Sequence, residues 1–157
     1  MEVQELGHIV LYVHNLERSA AFYRDVLGFQ QVFPAEGAGL DPGFPAIALR
    51  ARPARTHHEL LLIEVGEDAS PQPAGRHVGL YHFGLKIGDH DDALREALVG
   101  LQEAGARVVG ASDHTVTHSL YVEDPDGNEV ELYVDVPGVD WTAEPALIGA
   151  PVRPLRL

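Results

Sequence analysis

The chain contains no cysteine, so disulfide bonds and thiolate metal ligands are excluded. It also has no apolar run approaching the roughly 20 residues that a membrane-spanning helix requires. Positive charge is scarce, since 11 Lys and Arg residues stand against 24 Asp and Glu residues, for a formal net charge of -13. Such a chain repels phosphate backbones and anionic lipid headgroups, so neither nucleic acid nor a membrane is an expected partner.

The amino-terminal residues lack the features of a targeting segment. The stretch MEVQELGHIV has no basic start, no apolar stretch and no small-residue cleavage site, and it leads directly into strand-like sequence. We therefore expect no signal peptide and a cytoplasmic protein.

One pattern of elements occurs twice along the chain. In the first half a strand with alternating apolar residues, at 6 to 13, precedes a helix capped by Asn15 and ended by Gly28. In the second half Asp89 is the predicted cap and Gly105 the end of the corresponding helix. Three strand-like segments follow each helix, at residues 30 to 33, 46 to 51 and 58 to 65, and at residues 106 to 111, 116 to 123 and 129 to 134.

Each half therefore has the pattern of a βαβββ module, which predicts an α+β protein. We expect one domain over 1–157, with module 1 at about 4 to 66, module 2 at about 79 to 135, and a carboxyl-terminal tail at 136 to 157. Residues 124 to 128, DPDGN, supply the turn of the last hairpin.

Strand parity sorts the polar residues, because residues two apart in a strand point to the same face. The parity predicted to face the helices is apolar and includes Ile9, Leu11, Val13, Phe83, Leu85, Ile87, Leu120, Val122, Val130, Leu132 and Val134. His8, His82, Tyr121 and Glu131 fall on the opposite parity. If the two sheets curve around a shared hollow, these side chains converge there. Two imidazoles and one carboxylate form the ligand set expected of non-haem Fe(II) with open positions.

Glu59 provides an alternative to this ligand set. In the stretch ELLLIEV it stands near the place that Glu131 holds in ELYVDV, so it is a candidate fourth ligand. Its neighbours are apolar on both parities, which leaves open whether Glu59 or Leu60 faces the hollow. His57 and His58 directly precede it, and the other interpretation is that all three polar side chains are solvated.

His114, His118 and Tyr121 precede the last strand. A neutral His114 could take up and return a proton beside a metal-bound substrate, and the Tyr121 phenol could hold a developing oxyanion by hydrogen bonding. For both residues a structural role is an equal alternative, and His118 is expected to be a solvated strand residue. The sequence contains no Gly-rich phosphate loop and no serine nucleophile elbow.

Two stretches of the sequence resemble those of a known protein superfamily. HIVLYVHNLERSAAFYRDVLGF resembles the usual opening module of the vicinal oxygen chelate superfamily, which includes glyoxalase I, fosfomycin-resistance enzymes, bleomycin-binding proteins and extradiol dioxygenases. GLYHFGLKI, followed by DHTVTHSLYVEDPDGNEVELYVDVPGVDW, is similar to the catechol 2,3-dioxygenase branch of type I extradiol dioxygenases. The resemblance implies paired βαβββ modules that form a curved-sheet cup, and a homodimer.

The resemblance also implies a reaction and a site. The reaction is ring cleavage of a catechol-like aromatic diol by O2 at Fe(II), with Mn, Zn, Ni and Co as alternative metals. His8, His82 and Glu131 correspond to the metal ligands, His114 to the acid/base and Tyr121 to the hydrogen-bonding tyrosine.

The chain departs from that branch, and other functions stay open. Many members have a longer, duplicated chain, Val136 stands where the branch often has Arg, and residues 117 to 119, Thr-His-Ser, replace a segment usually written Ser-Glu-Ala. One alternative is a glyoxalase I-type lyase, isomerase or epimerase, in which Glu59 completes a four-residue shell around Zn, Ni or Co. The other is a non-catalytic drug- or metabolite-binding protein of the bleomycin-resistance type.

Overall fold

A computed structural model describes residues 1–34 and 41–157 of the chain. These residues form two compact units, Met1–Pro71 and Gln72–Leu157. Each unit contains one sheet and its helix, so the predicted α+β architecture of two βαβββ modules is confirmed.

The first unit has a four-stranded sheet. Its elements are β1 (Ile9–Val13), α1 (Leu16–Ala21), a π-helical turn (Phe22–Val26), β2 (Gln30–Phe33), β3 (Ala46–Arg50) and β4 (Leu60–Glu64). The strand order is β1-β4-β3-β2, in which β1 and β4 are parallel and the other neighbours are antiparallel.

The second unit repeats this order and adds one short strand. Its elements are β5 (His82–Gly88), α2 (Asp91–Glu103), β6 (Arg107–Asp113), β7 (Thr117–Glu123), β8 (Glu129–Asp135), a 3-10 helix (Pro145–Gly149) and β9 (Arg153–Pro154). The order is β5-β8-β7-β6-β9, with β5 and β8 parallel, so the tail ends as an edge strand on β6. Across both described stretches, no helix has the length and apolarity needed to span a membrane.

Three of the four predicted helix boundaries are confirmed. The Asn15 side chain accepts a hydrogen bond of 2.9 Å from the Arg18 backbone N–H, and Gly28 and Gly105 adopt φ angles of 78° and 67°, which favour glycine. The prediction of Asp89 as the cap of α2 is wrong. His90 occupies the cap position, and Asp89 forms an ion pair with Lys86 at 2.6 Å, so its carboxylate is held on the strand side.

The core of each unit lies between the helix and the apolar face of the sheet. In the first unit Leu11 and Val13 are buried, while Val10 and Tyr12 on the other parity are exposed. The prediction for Ile87 is wrong, because this side chain is 36% exposed. The pairing of β5 with β8 shifts register between Lys86 and Gly88, so the alternation of faces ends before Ile87.

The predicted DPDGN turn between β7 and β8 is confirmed, and hydrogen bonds to a side chain stabilise it. The Asp124 carboxylate accepts hydrogen bonds from the backbone N–H groups of Asp126 and Asn128 and from the Asn128 amide, at 2.8–2.9 Å. Gly127 supplies a φ of 84°. Because Asp124 and Asn128 are buried, the turn fixes the register of the two strands that it joins.

Candidate active site

The parallel pair β5 and β8 places one histidine between two carboxylates. His82 lies opposite Glu129 in the register, and Glu131 lies two residues further along the same face. The distance from His82 Nε2 to Glu131 Oε2 is 3.4 Å, and the distance from His82 Nδ1 to Glu129 Oε1 is 3.2 Å. The imidazole therefore has a carboxylate beside each ring nitrogen.

The two sides of this imidazole differ in character. Nδ1 is buried and has no aligned hydrogen bond in the part of the chain that the structure describes, although Glu129 lies within contact distance. A metal-binding histidine commonly donates its second ring N–H to a carboxylate, which fixes the tautomer and orients the ring. Glu129 is placed for that role, and Nε2 is then the nitrogen with a free lone pair beside Glu131.

The antiparallel neighbour β7 supplies hydroxyl groups to Glu131. Tyr121 lies directly opposite Glu131 in the register, and Ser119 precedes it on the same face. The Ser119 hydroxyl donates to Glu131 Oε1 at 2.6 Å, and the Tyr121 hydroxyl lies 3.3 Å from the same oxygen. Glu131 thus has one oxygen held by hydroxyl groups and a second oxygen that faces His82.

His114 lies in the short connection between β6 and β7. Its backbone N–H donates to the Thr117 carbonyl at 2.8 Å, and the next residue, Thr115, adopts a φ of 71° that few residues other than glycine tolerate. The Asp113 carboxylate accepts from the Thr115 N–H at 2.6 Å and stabilises this conformation. The turn brings His114 Nε2 to 2.7 Å from the Tyr121 hydroxyl.

His114, Tyr121 and Glu131 form a chain of proton-exchanging groups. The single phenolic proton is donated either to His114 Nε2 or to Glu131 Oε1, and the tautomer of His114 decides which. Burial, together with the negative charge of Glu131, raises the pKa of Tyr121 to about 12. The phenol therefore stays protonated near neutral pH and acts as a hydrogen-bond donor.

The His82 and Glu131 pair fits two positions of a metal centre. Two ligand atoms bound to one ion at about 2.0–2.2 Å lie roughly 2.8–3.6 Å apart for angles between 90° and tetrahedral. The observed separation of 3.4 Å falls in this range. Within residues 1–34 and 41–157, no group of three His, Asp or Glu side chains is close enough to hold an ion, and His82 and Glu131 are the two predicted ligands that the second unit brings together.

The first unit holds His8, the third predicted ligand, and Glu59, the candidate fourth. His8 is exposed, and its ring centroid is 4.7 Å from that of His58 and 5.9 Å from that of His57. Nδ1 of His57 and Nδ1 of His58 are 2.6 Å apart, so one donates to the other. Glu59 Oε2 accepts from the Ala51 N–H at 2.8 Å.

The strand register gives Glu59 a different counterpart from the one that the sequence suggested. The pairing of β1 with β4 and that of β5 with β8 align residue by residue when the two strand histidines are matched. In this alignment Glu59 corresponds to Glu129, and Leu61 corresponds to Glu131. Leu60 is buried, so Glu59 lies on the face opposite the core.

A family model, the Glyoxalase/Bleomycin resistance protein/Dioxygenase superfamily, matches residues 5–132. The chain belongs to this superfamily. The resemblance drawn from the sequence is therefore confirmed, and the duplicated βαβββ arrangement is the superfamily fold, the vicinal oxygen chelate fold.

Two curated relatives point to different members of the superfamily. The chain is 35% identical over 140 residues to a catechol-2,3-dioxygenase of Bacillus subtilis, covering 89% of this chain but 45% of that protein. It is 30% identical over 141 residues to a lactoylglutathione lyase of Neisseria meningitidis, covering 88% of this chain and 96% of the relative. The chain thus spans about half the length of the dioxygenase and nearly the whole length of the lyase.

A solved superfamily structure supports the fold. The glyoxalase/dioxygenase from Nostoc punctiforme aligns with a TM-score of 0.66 at 21% identity, over 84% of this chain and 91% of that chain. At this identity the likeness shows the fold and carries no information about the reaction.

Two further histidines are less solvated than the sequence predicted. The His118 side chain is 20% exposed, and its Nδ1 lies 2.6 Å from Asp91 Oδ1 at the start of α2, on the helix side of the sheet. In the first unit the buried His58 Nε2 has no hydrogen-bond partner among the described residues. Burial and the charges of His57 and His8 lower the pKa of His58. His57 is exposed, as predicted.

Three residues of the candidate site were not predicted from the sequence, namely Ser119, Glu129 and Gly84. Each acts across a strand pair, and the parity of Ser119 with Tyr121 was the available signal. A Cβ atom at Gly84 would lie 3.3 Å from the Tyr133 ring and 3.4 Å from Glu131 Oε2, so glycine leaves room for both side chains. This contact depends on the register, which the sequence alone does not give.

Proposed function

We propose that the protein is an Fe(II)-dependent extradiol dioxygenase that cleaves the ring of a catechol-like aromatic diol with O2. The observation that carries the proposal is the 3.4 Å approach of His82 Nε2 to Glu131 Oε2, beside the hydrogen-bonded pair of His114 and Tyr121. The name of the Bacillus subtilis relative, a catechol-2,3-dioxygenase, supports it.

His82 and Glu131 would hold the metal, and His8 remains the predicted third ligand. When bound, ferrous iron would supply open coordination positions and one-electron chemistry for a diol and O2. The carboxylate of Glu131 provides negative charge that favours a divalent cation over a neutral ligand. Glu129, next to His82 Nδ1, favours the tautomer in which Nε2 is the metal-binding nitrogen.

His114 would transfer the protons of the reaction, and Tyr121 would act as a hydrogen-bond donor. His114 takes a proton from a diol hydroxyl at Nε2 and later returns it to the product. Tyr121 is the donor that holds negative charge developing on the substrate oxygen, because its high pKa keeps it protonated. The 2.7 Å contact between the two residues lets the proton move without passing through bulk water.

Anaerobic reconstitution with Fe(II), followed by oxygen-uptake measurements against a panel of substituted catechols, tests this function. We expect at least one catechol to consume oxygen stoichiometrically with the appearance of a yellow ring-fission product. Absence of oxygen uptake with every catechol, at full iron occupancy, would contradict the proposal.

A glyoxalase I-type reaction is the second candidate, because the lactoylglutathione lyase matches this chain over 96% of its own length. Its distinguishing ligand would be Glu59, whose Oε2 already accepts a backbone hydrogen bond and whose register counterpart is Glu129. Formation of lactoylglutathione by the Zn, Ni or Co form, and loss of that activity in Glu59→Gln, would favour it over the dioxygenase.

Two other predictions concern what the protein binds. A binding protein without chemistry would hold an aromatic ligand as tightly in its metal-free form as in its metal-loaded form, whereas the dioxygenase requires the metal for binding the diol. Calorimetry of both forms distinguishes these cases. The predicted homodimer is checked by light scattering of the purified protein.

A further inference from the structure

Ser119 is fully buried, and its hydroxyl contacts the candidate metal ligand. The side chain has 0% exposure, and its Oγ donates to Glu131 Oε1 at 2.6 Å. A hydrogen bond from a hydroxyl to a carboxylate at this length is among the strong ones, because the acceptor is charged. The 2.6 Å contact and the full burial of Ser119 hold the two side chains in one arrangement.

The two oxygens of Glu131 have separate partners. Oε1 accepts from Ser119, lies 3.3 Å from the Tyr121 hydroxyl and lies 4.0 Å from His114 Nε2. Oε2 faces His82 Nε2 at 3.4 Å. Because Ser119 donates to Oε1, Oε2 is the oxygen better placed to bind a cation together with the imidazole.

We propose that Ser119 is a positioning residue, which fixes Glu131 so that it binds the metal through Oε2 alone. This inference rests on the proposed function, since it takes Glu131 as a metal ligand. The hydroxyl restricts rotation of the carboxylate before the metal arrives, and this preorganisation raises the affinity for the ion. The corresponding position in the first unit is Ala46, which cannot make this contact.

The test uses Co(II) alone as the probe, titrated into metal-free protein and followed by its visible absorption. Ser119→Ala should weaken Co(II) binding by about 10–100-fold, the usual effect of removing a residue that orients a metal ligand. The visible absorption spectrum of Co(II) bound to Ser119→Ala should also change, because the freed carboxylate of Glu131 can bind the ion through both oxygens. Ser112→Ala is the matched control. Ser112 lies opposite Ser119 on β6, one strand further from Glu131, and its removal should leave affinity and spectrum unchanged.

Glu131→Gln separates failure of this inference from failure of the proposed function. If Glu131→Gln loses Co(II) while Ser119→Ala keeps both the wild-type affinity and the wild-type spectrum, the role of Ser119 is wrong and Glu131 remains a ligand. If Glu131→Gln binds Co(II) like the wild type, the metal site of the proposed function is itself wrong. Circular dichroism of each metal-free variant confirms that the titrated protein is folded.

Discussion

The two units share one scaffold but carry different side chains on the face opposite the core. Both have the order of a parallel pair followed by two antiparallel neighbours, and both place a histidine at the start of the first strand. Aligning the strand registers pairs three polar residues of the second unit with three apolar residues of the first, namely Ser119, Tyr121 and Glu131 with Ala46, Ala48 and Leu61.

This difference shows that the polar residues are not needed for the fold. Ala46 and Ala48 are buried in the first unit, and its sheet forms with the same pairing. A partly buried carboxylate costs free energy unless hydrogen bonds satisfy it, and in the second unit the Ser119 and Tyr121 hydroxyl groups lie within hydrogen-bonding distance of Glu131. Because the fold does not require this free-energy cost of desolvation, the polar residues of the second unit indicate a functional site.

The largest expected effect comes from giving the second unit the residues of the first. The double change Ser119→Ala with Glu131→Leu removes the proposed ligand Glu131 together with the hydroxyl that donates to it. We expect a folded protein, with metal affinity reduced by more than about 100-fold, because a direct ligand matters more than its supporting residues. Circular dichroism and iron content measure the two outcomes.

Glu59→Gln is the control for that experiment in the first unit. Since Glu59 corresponds to Glu129 and not to Glu131, the dioxygenase proposal expects its iron content to match that of the wild type. Iron loss in Glu59→Gln equal to that of the double variant would show that the first unit supplies a carboxylate ligand.

His114→Ala should lower turnover by about 100–10,000-fold, the usual contribution of a positioned acid/base, with iron content unchanged. His118→Ala is the matched control. His118 lies four residues further on and contacts Asp91 on the helix side, so its removal should leave turnover intact. Loss of iron from His114→Ala would instead make His114 a ligand or a structural residue.

Tyr121→Phe should have a smaller effect on turnover, about 10–100-fold, and a distinct effect at high pH. The folded protein keeps the phenol protonated up to a pKa of about 12, above the ordinary value of 10.0, so the unfolded chain releases the proton first. Wild-type stability should therefore fall as pH rises from 10 towards 12, and Tyr121→Phe should lose that component. Denaturant unfolding between pH 10 and pH 12 measures this component of the stability. If the free energy of unfolding depended on pH in the same way in both proteins, that result would be inconsistent with a buried phenol.

The smallest expected effect concerns the histidines of the first unit. The pKa of His58 lies below its ordinary value of 6.5, mainly because of burial and then the nearby His57 and His8. As pH falls below 6.5 the unfolded chain takes up the proton first, so stability should decrease. His57→Ala should raise the pKa of His58 in an NMR titration, because one source of repulsion is removed, and an unchanged titration would show that the rings do not interact.

Much of the site was predictable, because strand alternation is a strong rule. Parity alone placed His82, Tyr121 and Glu131 on one face, and the contacts among them confirm this. Ser119 and Glu129 were missed because their contacts depend on cross-strand register, which pattern does not determine. The errors have local causes, since a register shift exposed Ile87 and an ion pair removed Asp89 from its predicted cap position.

Crystals of the iron-reconstituted protein, measured at the iron absorption edge, test the central claim most directly. The proposal predicts an anomalous peak within bonding distance of His82 Nε2 and of Glu131 Oε2, while Glu131 Oε1 does not bind the iron and still accepts from Ser119. A peak among His8, His57 and His58, or one that leaves Glu131 uncoordinated, would contradict it.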